Sequence, residues 1–377
     1  MRLLRAALRR SGEPGSFLIP AYAGLGNFIM ATPMVLELRR RHPRARIGLL
    51  TWTSFGTDQL FAPGDGVIDE ILLLDPAASL LEKVRFFCGL RPAGWHTALV
   101  PFDACPTFVW WGCALAGFPR VVAHTVETMG IPMGWTRAMI DASTPVDVAA
   151  HETDIHFDLL DACEGEKLPR SYATHVRALG PETLAKYGLT ERGYIIVQLS
   201  ASNAKFKTPK LWDRERFAEV IRKLNADGEL VVLPGDENEK PLVDEFVARH
   251  GLPRVVNIAG RTSVAEVSTI LKYAKLLLVH DSGLMHIGNA HGTPLIALYG
   301  PTDDGMTAPK APTSRLLRKD LPCIPCMAKM AKTELEALRD CPIDIQCMKD
   351  LTAADVYRAC REVLDLPPPL RCGFLGP

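Results

Sequence analysis

The stretch Leu276 to Pro309, LLLVHDSGLMHIGNAHGTPLIALYGPTDDGMTAP, decides the fold. An apolar run, Leu276 to Val279, stops at His280-Asp281-Ser282-Gly283, and a helix carrying Met285 and His286 follows. Small residues from His291 to Pro294 turn the chain into a second apolar run, Leu295 to Leu298, which ends in Gly300-Pro301-Thr302. Two short apolar runs around a helix, punctuated by Gly and Pro, form a βαβ unit. Such units bind ligands at the carboxyl ends of their strands, where helix N-termini present free N–H groups and a positive dipole. Asp281, Ser282 and His286 gather at the first end, and Thr302, Asp303 and Asp304 at the second. The stretch is therefore a candidate anion site. Asp281 and Ser282 also suit plain N-caps, and that reading stands beside the first. His286 follows Ser282 by four residues on the same helical face, and this convergence favours a site.

Outward from here the same alternation fills the chain. Strand Phe17 to Ala21 runs into Tyr22-Ala23-Gly24-Leu25-Gly26-Asn27 and a helix to Arg41. Strands Ile47 to Thr51 and Ile71 to Leu74, helix Leu80 to Cys88, and strand Ala98 to Phe102, closed by Asp103, come next. Helix Thr107 to Ala116, strand Val121 to His124 and helix His151 to Ala162 complete a first half, whose helical histidines read as packed or surface groups. Gly165 to Leu189, which contains Pro169, Gly180, Pro181 and Gly188, is the natural linker. A second series follows: strands Tyr194 to Leu199, Leu230 to Leu233 and Val255 to Ile258, and helices Arg214 to Leu224, Lys240 to His250 and Ala265 to Tyr273. This predicts an α/β chain of two Rossmann-like domains, 1–178 and 179–352, with a ligand cleft between them and a last helix over 353–364.

At 377 residues the chain has the length of two such domains, and 43 basic residues balance 43 acidic ones. That neutrality excludes nucleic acid as a partner. The apolar runs are too short to span a bilayer, and Met1 to Arg10, MRLLRAALRR, lacks the features of a signal peptide, so the expectation is a cytoplasmic protein. This basic, amphipathic arm reads either as a frayed terminus or as a contact to the inner membrane surface. Ten scattered cysteines make no secreted disulfide framework. Cys323-Ile324-Pro325-Cys326, followed by Cys341 and Cys347, has metal-ligand spacing suited to a structural zinc or iron; a reduced or disulfide-paired knot is the alternative.

With these residues in view, the sequence resembles glycosyltransferase family 9, the ADP-heptose:lipopolysaccharide heptosyltransferases. Gly24-Leu25-Gly26-Asn27-Phe28-Ile29-Met30-Ala31-Thr32-Pro33 follows the family's first motif, and Ser200-Ala201-Ser202 with Lys210-Leu211-Trp212 and Phe217 follows its second loosely. Ala259-Gly260-Arg261-Thr262-Ser263 through Glu266 matches a third. The opening stretch, from Asp281-Ser282-Gly283-Leu284-Met285-His286 to Gly300-Pro301-Thr302, matches the most specific.

The resemblance implies a GT-B fold whose last helix crosses back onto the first domain, and inverting transfer of a sugar, foremost heptose from ADP-heptose, to a lipopolysaccharide core or related glycan. It implies no cofactor for catalysis. The diphosphate leaving group would be stabilised by Lys210, Ser202, Ser282 and backbone amides at Gly283 and Gly26, with His286 and Thr302 close by. Asp236 or Glu237 would hold ribose hydroxyls, and Asp281 sugar hydroxyls. One departure stands out: the family's general base is an aspartate where this chain has Asn27. An amide cannot take a proton, so Asp103 is the first substitute and His124 the second. The rival readings are a nucleotide-sugar-binding protein without turnover, and a protein glycosyltransferase with a four-cysteine metal site.

Overall fold

Two six-stranded sheets carry the molecule in this computed structural model, which describes residues 15–22, 24–52, 56–104, 107–127, 133–201, 208–327 and 341–365. The first contains β1 (Ser16–Ala21), β2 (Arg46–Trp52), β3 (Glu70–Leu74), β4 (Thr97–Val100), β5 (Arg120–Thr125) and β6 (Ala142–Pro145), in the order β3-β2-β1-β4-β5-β6. The second contains β7 (Tyr194–Val197), β8 (Leu230–Leu233), β9 (Val255–Asn257), β10 (Leu276–His280), β11 (Leu295–Leu298) and β12 (Ser314–Leu317), in the order β12-β11-β10-β7-β8-β9. Counted from its own first strand, the second sheet repeats the order of the first. All pairings are parallel. Parallel neighbours need crossover connections, here mostly helices. In this order the winding reverses between the first and fourth strands, and a crevice opens there at the strands' carboxyl ends. These switch points lie at β1/β4 and at β7/β10.

The helices that matter for the sites are α1 (Leu25–Arg41), α2 (Leu80–Gly89), α3 (Thr107–Ala116), α4 (Glu152–Glu164), α5 (Arg214–Ala226), α6 (Lys240–His250), α7 (Val264–Lys272), α8 (Gly283–Ala290) and α9 (Ala353–Leu364). Their starts are written in the sequence. Asp213 accepts from the amides of Glu215 and Arg216 to open α5, and Ser263 with Glu266 closes a reciprocal capping box on α7. β7, β10 and β11 are buried throughout, as strands covered on both faces must be, and so read as unbroken apolar runs. Phe217, Ile221 and Leu224 of α5 lie against them in the core. Each such side chain contributes about 1.5–3 kcal/mol by leaving water.

The chain divides into two compact units, Met1–Arg177 and Ala178–Pro377. The Gly165 to Leu189 linker is shared between them. Its first part is tied to the first unit, where Leu168 N donates to Asp161 Oδ1 at 2.9 Å and Arg177 N to Leu60 O at 2.7 Å. Its second part is tied to the second, where Leu179 N donates to Thr269 Oγ1 at 2.8 Å and Tyr187 Oη to Arg261 O at 3.0 Å.

Helix α9 buries Val356, Ala359, Cys360 and Val363 against α5, β10 and β11 of its own unit. Two sequence expectations need correction. Strand β4 stops at Val100, and Phe102–Ala104 forms a 3₁₀ turn that carries Asp103. Strands β6 (ASTP) and β12 (SRLL) close one edge of each sheet unannounced; both are half-exposed and polar, and the Pro145 that argues against a central strand is tolerated at an edge. Among the described residues no helix is long and apolar enough to cross a membrane. The arm Met1 to Arg10 lies outside the described residues.

Candidate active site

At the second unit's switch point, β10 delivers His280, Asp281 and Ser282, and β7 delivers Gln198 and Ser200. His280 is fully buried and fixed by two backbone groups: its Nδ1–H donates to Ser200 O at 3.1 Å, and its Nε2 accepts from Trp212 N at 3.0 Å. Burial holds this imidazole down to about 4, so it is neutral and structural. The segment after Trp212 is pinned in turn by Trp212 Nε1 donating to Leu351 O at 2.8 Å. This arrangement brings Lys210 to Asp281, with Nζ 3.7 Å from Oδ2 and both side chains mostly buried.

Ser282 occupies the N-cap position of α8, yet its side chain makes no capping bond. Its hydroxyl donates instead to Gln198 Oε1 at 2.7 Å. A serine that forgoes the cap leaves the first amides of α8, beginning with Gly283, open to an outside acceptor. His286, one turn on, is buried. At the end of β11, Thr302 Oγ1 is sealed from solvent without a hydrogen-bond partner among the described residues. Ser202 lies outside the described residues.

The corner after β8 reads differently from its sequence. Asp236 and Glu237 are exposed, while Glu239 is buried. Glu239 accepts from the Ser200 hydroxyl and, through Oε2, from Asp236 N at 2.9 Å. Burial raises its proton affinity. Asp236 mainly braces the turn, with Oδ1 accepting from Glu239 N at 2.8 Å. The acidic side chain turned toward Ser200 is thus three residues beyond the first candidate. Its signal was available: Glu239 directly precedes Lys240-Pro241, the first turn of α6.

Cys323, Cys326, Cys341 and Cys347 line one cavity of about 270 Å³, together with Pro209, Pro301 and Ile345. Ile345 N donates to Cys341 Sγ at 3.1 Å. Burial pushes the Cys347 thiol up to about 11, the other three sulfurs adding to the rise. Four thiols lining one small cavity are the donor type that structural zinc or iron takes. The loop backs directly onto Gly300: a Cβ there would come within 2.5 Å of Met348 Sδ and 3.2 Å of Cys347 Sγ.

The first unit's switch point gathers a different set. Asn27, in the first turn of α1, donates through Nδ2 to Glu152 Oε1 at 2.8 Å. The carboxylate can only accept, so the amide nitrogen faces it. Glu152 opens α4 behind the N-cap His151, whose Nδ1 accepts from Thr153 N at 3.2 Å. His156 sits one turn later, with Nε2 3.6 Å from Glu152 Oε1. Asp103 completes the group: ligating atoms of Asp103, Glu152 and His156 all lie within 4.8 Å of one another. Asp103 Oδ1 and both ring nitrogens of His156 are buried without a hydrogen-bond partner among the described residues. Burial pushes the Asp103 carboxyl up to about 6, against the pull of His156 and helped by Glu152. His124 is locked, Nδ1 accepting from Phe102 N at 3.0 Å and Nε2 donating to Ile155 O at 2.8 Å, and burial holds it down to about 3. Gly24 itself has φ −68°, open to any residue, so the turn does not demand glycine there.

The family described as glycosyltransferase family 9 (heptosyltransferase) matches residues 142–336, just over half of the chain. This chain belongs to that family. Lipooligosaccharide heptosyltransferase 2 of Campylobacter jejuni is 27% identical over 164 residues, 42% of this chain and 49% of that protein. The chain spans about half the length of the curated relatives it matches first. The solved E. coli ADP-heptose LPS heptosyltransferase II shares the fold with a TM-score of 0.72 at 20% identity, over 93% of this chain and 98% of that one. The iron-containing dodecameric glycosyltransferase TibC from enterotoxigenic E. coli has a TM-score of 0.58 at 12% identity, over 94% and 77%.

The GT-B architecture of this family 9 chain is thus two α/β units of one strand order. The family match lies largely on the second unit, and Asn27 and Asp103 fall outside it. Glu152, His156, Glu239 and Gln198 are the site residues the sequence did not single out. For the first two the signal was a carboxylate and an imidazole at i and i+4 in HETDIHFDLLDA, with Ile155 and Leu159 turned to the core beside them.

Proposed function

We propose that the chain is an inverting glycosyltransferase that moves a heptose from ADP-heptose to a lipopolysaccharide core or related glycan. The observation that carries this is the β7/β10 switch point: Lys210 beside Asp281, and a helix start whose serine points elsewhere. A departing nucleoside diphosphate gathers negative charge, and a cation with preset amides stabilises it without reorganising. Asp281 and Glu239 are the acceptors for sugar and ribose hydroxyls, and Asp103 is the proton acceptor for the attacking hydroxyl. Catalysis needs no metal in this scheme. Cys323, Cys326, Cys341 and Cys347 hold a structural zinc or iron that fastens their loop behind Gly300-Pro301-Thr302; the iron named for TibC supports this. Work on a lipid-linked glycan brings the chain to the inner membrane surface, with the basic arm Met1 to Arg10 as the contact.

Calorimetric titration with ADP, UDP and GDP, followed by a transfer assay with ADP-heptose, tests the reading. ADP preference with heptose transfer is expected. Failure to bind any of the three nucleotides would sink it. A binding protein without turnover is the second reading, favoured by the amide at Asn27; it predicts tight nucleotide-sugar binding with no release of sugar to any acceptor or to water.

A further inference from the structure

We propose, resting on the glycosyl-transfer reading, that Glu152 and His156 are positioning residues that make Asp103 the general base of the first unit. Glu152 is 2% exposed and His156 fully buried, so neither can meet a substrate hydroxyl, whereas Asp103 is only partly buried. Both act through Asp103. Asn27 spends its amide on Glu152 Oε1, which fixes that carboxylate beneath Asp103. The orphaned Asp103 Oδ1 and His156 nitrogens mark a buried polar cluster kept at a cost, as sites of proton transfer are. In the reaction the acceptor hydroxyl gives its proton to the Asp103 carboxylate. The oxygen's electron pair forms the new bond to the anomeric carbon, and the bond from that carbon to phosphate oxygen breaks with its pair leaving on the nucleoside diphosphate. The groups around Asp103 set the proton's hold: Glu152 strengthens it and His156 weakens it. Among the titratable groups of the elements packed here are His124 of β5, locked neutral, and Tyr22 after β1, which burial keeps protonated.

The test is the acidic limb of the pH profile of kcat/KM in the full chain. Carbonyl infrared difference titration of the free protein, in which Asp103→Asn identifies the Asp103 band, is the second readout. Glu152→Gln should move the limb and the band to lower pH by roughly one unit, and His156→Gln to higher pH by a similar amount. Glu152→Asp, which keeps the charge, should restore the parent's position, and Asp103→Asn should remove both limb and band. Variants that leave the limb and the band unmoved, or shift both in the same direction, would overturn the proposal. So would an Asp103→Asn enzyme with the parent's kcat, or tight Zn²⁺ binding that His156→Gln abolishes, which would make the cluster a metal site. If the parent shows no transfer at all, the glycosyl-transfer reading fails by itself, and opposite band shifts or their absence still decide the cluster.

Discussion

The β1/β4 and β7/β10 switch points share one strand order and differ in nearly everything placed on it. The second places a lysine against a carboxylate, a hydroxyl on an amide, and the start of an eight-residue helix, which the proposed reading gives to an anion. The first gathers two carboxylates and an imidazole within 4.8 Å, with an amide holding one of them, which the proposed reading gives to a proton. The contrast teaches that strand order fixes where a site falls, whereas the first residues after each strand fix what it can do. The proposed reading assigns binding and acid–base work to different units, and variants can separate them.

The largest effect should come from Asp103→Asn. We expect kcat to fall roughly 10²- to 10⁴-fold with ADP affinity unchanged, read by transfer kinetics and calorimetry on one preparation. Weakened nucleotide binding would break the division of labour. Next is Lys210→Met, which removes a charged partner of the diphosphate. The ADP Kd should rise by the equivalent of about 1.5–3 kcal/mol, with the Asp103 pH limb unmoved. The same Asp103→Asn variant should also change stability. Because burial raises the Asp103 pKa, the folded state holds the proton more tightly, so this group's contribution is complete below its unfolded value near 4 and is lost as pH rises through about 6. At pH 7.5 the amide should therefore be the more stable protein by about 1–3 kcal/mol, and urea unfolding at pH 4 and 7.5 would show the gain only at the higher pH. Ser282→Ala is the smallest, losing one neutral hydrogen bond to Gln198. An ADP affinity change of about 0.5–1.5 kcal/mol is expected, and a tenfold larger loss of affinity than that would mean the hydroxyl meets the diphosphate itself.

Much of this was legible before any coordinates. β7, β10 and β11 are short apolar runs cut off by polar or Gly/Pro residues, which suits buried parallel strands, so Asp281 and Ser282 could be placed from pattern, whereas Lys210 came only from the family resemblance. Asp103 was legible because it follows a strand. Glu152 was not, because in a periodic helix a glutamate reads as solvent-facing, and nothing local says that its face turns toward a loop 50 residues earlier. Glu239 was hidden by its exposed neighbours Asp236 and Glu237, which have the same charge and a plainer position.

The shared strand order also bears on how the protein is made. Within each sheet the outer pairs join neighbouring elements, but Phe17 must find Thr97 in the first unit and Val197 must find Leu278 in the second, in each case about 80 residues along the chain. Such distant pairings forfeit the most chain freedom before any contact repays it, and sheets dominated by them fold slowly. We predict that pulsed hydrogen exchange during refolding will protect the β1–β2 and β7–β8 amides before those joining β1 to β4 and β7 to β10; simultaneous protection would refute this order. Until those seams close, β1 and β7 each expose an unpaired, strongly apolar edge on which a second nascent chain can pair. The lines along which the chemistry is assembled are therefore also where a newly synthesised chain is most exposed to aggregation, and slower synthesis at lower temperature should raise the soluble yield.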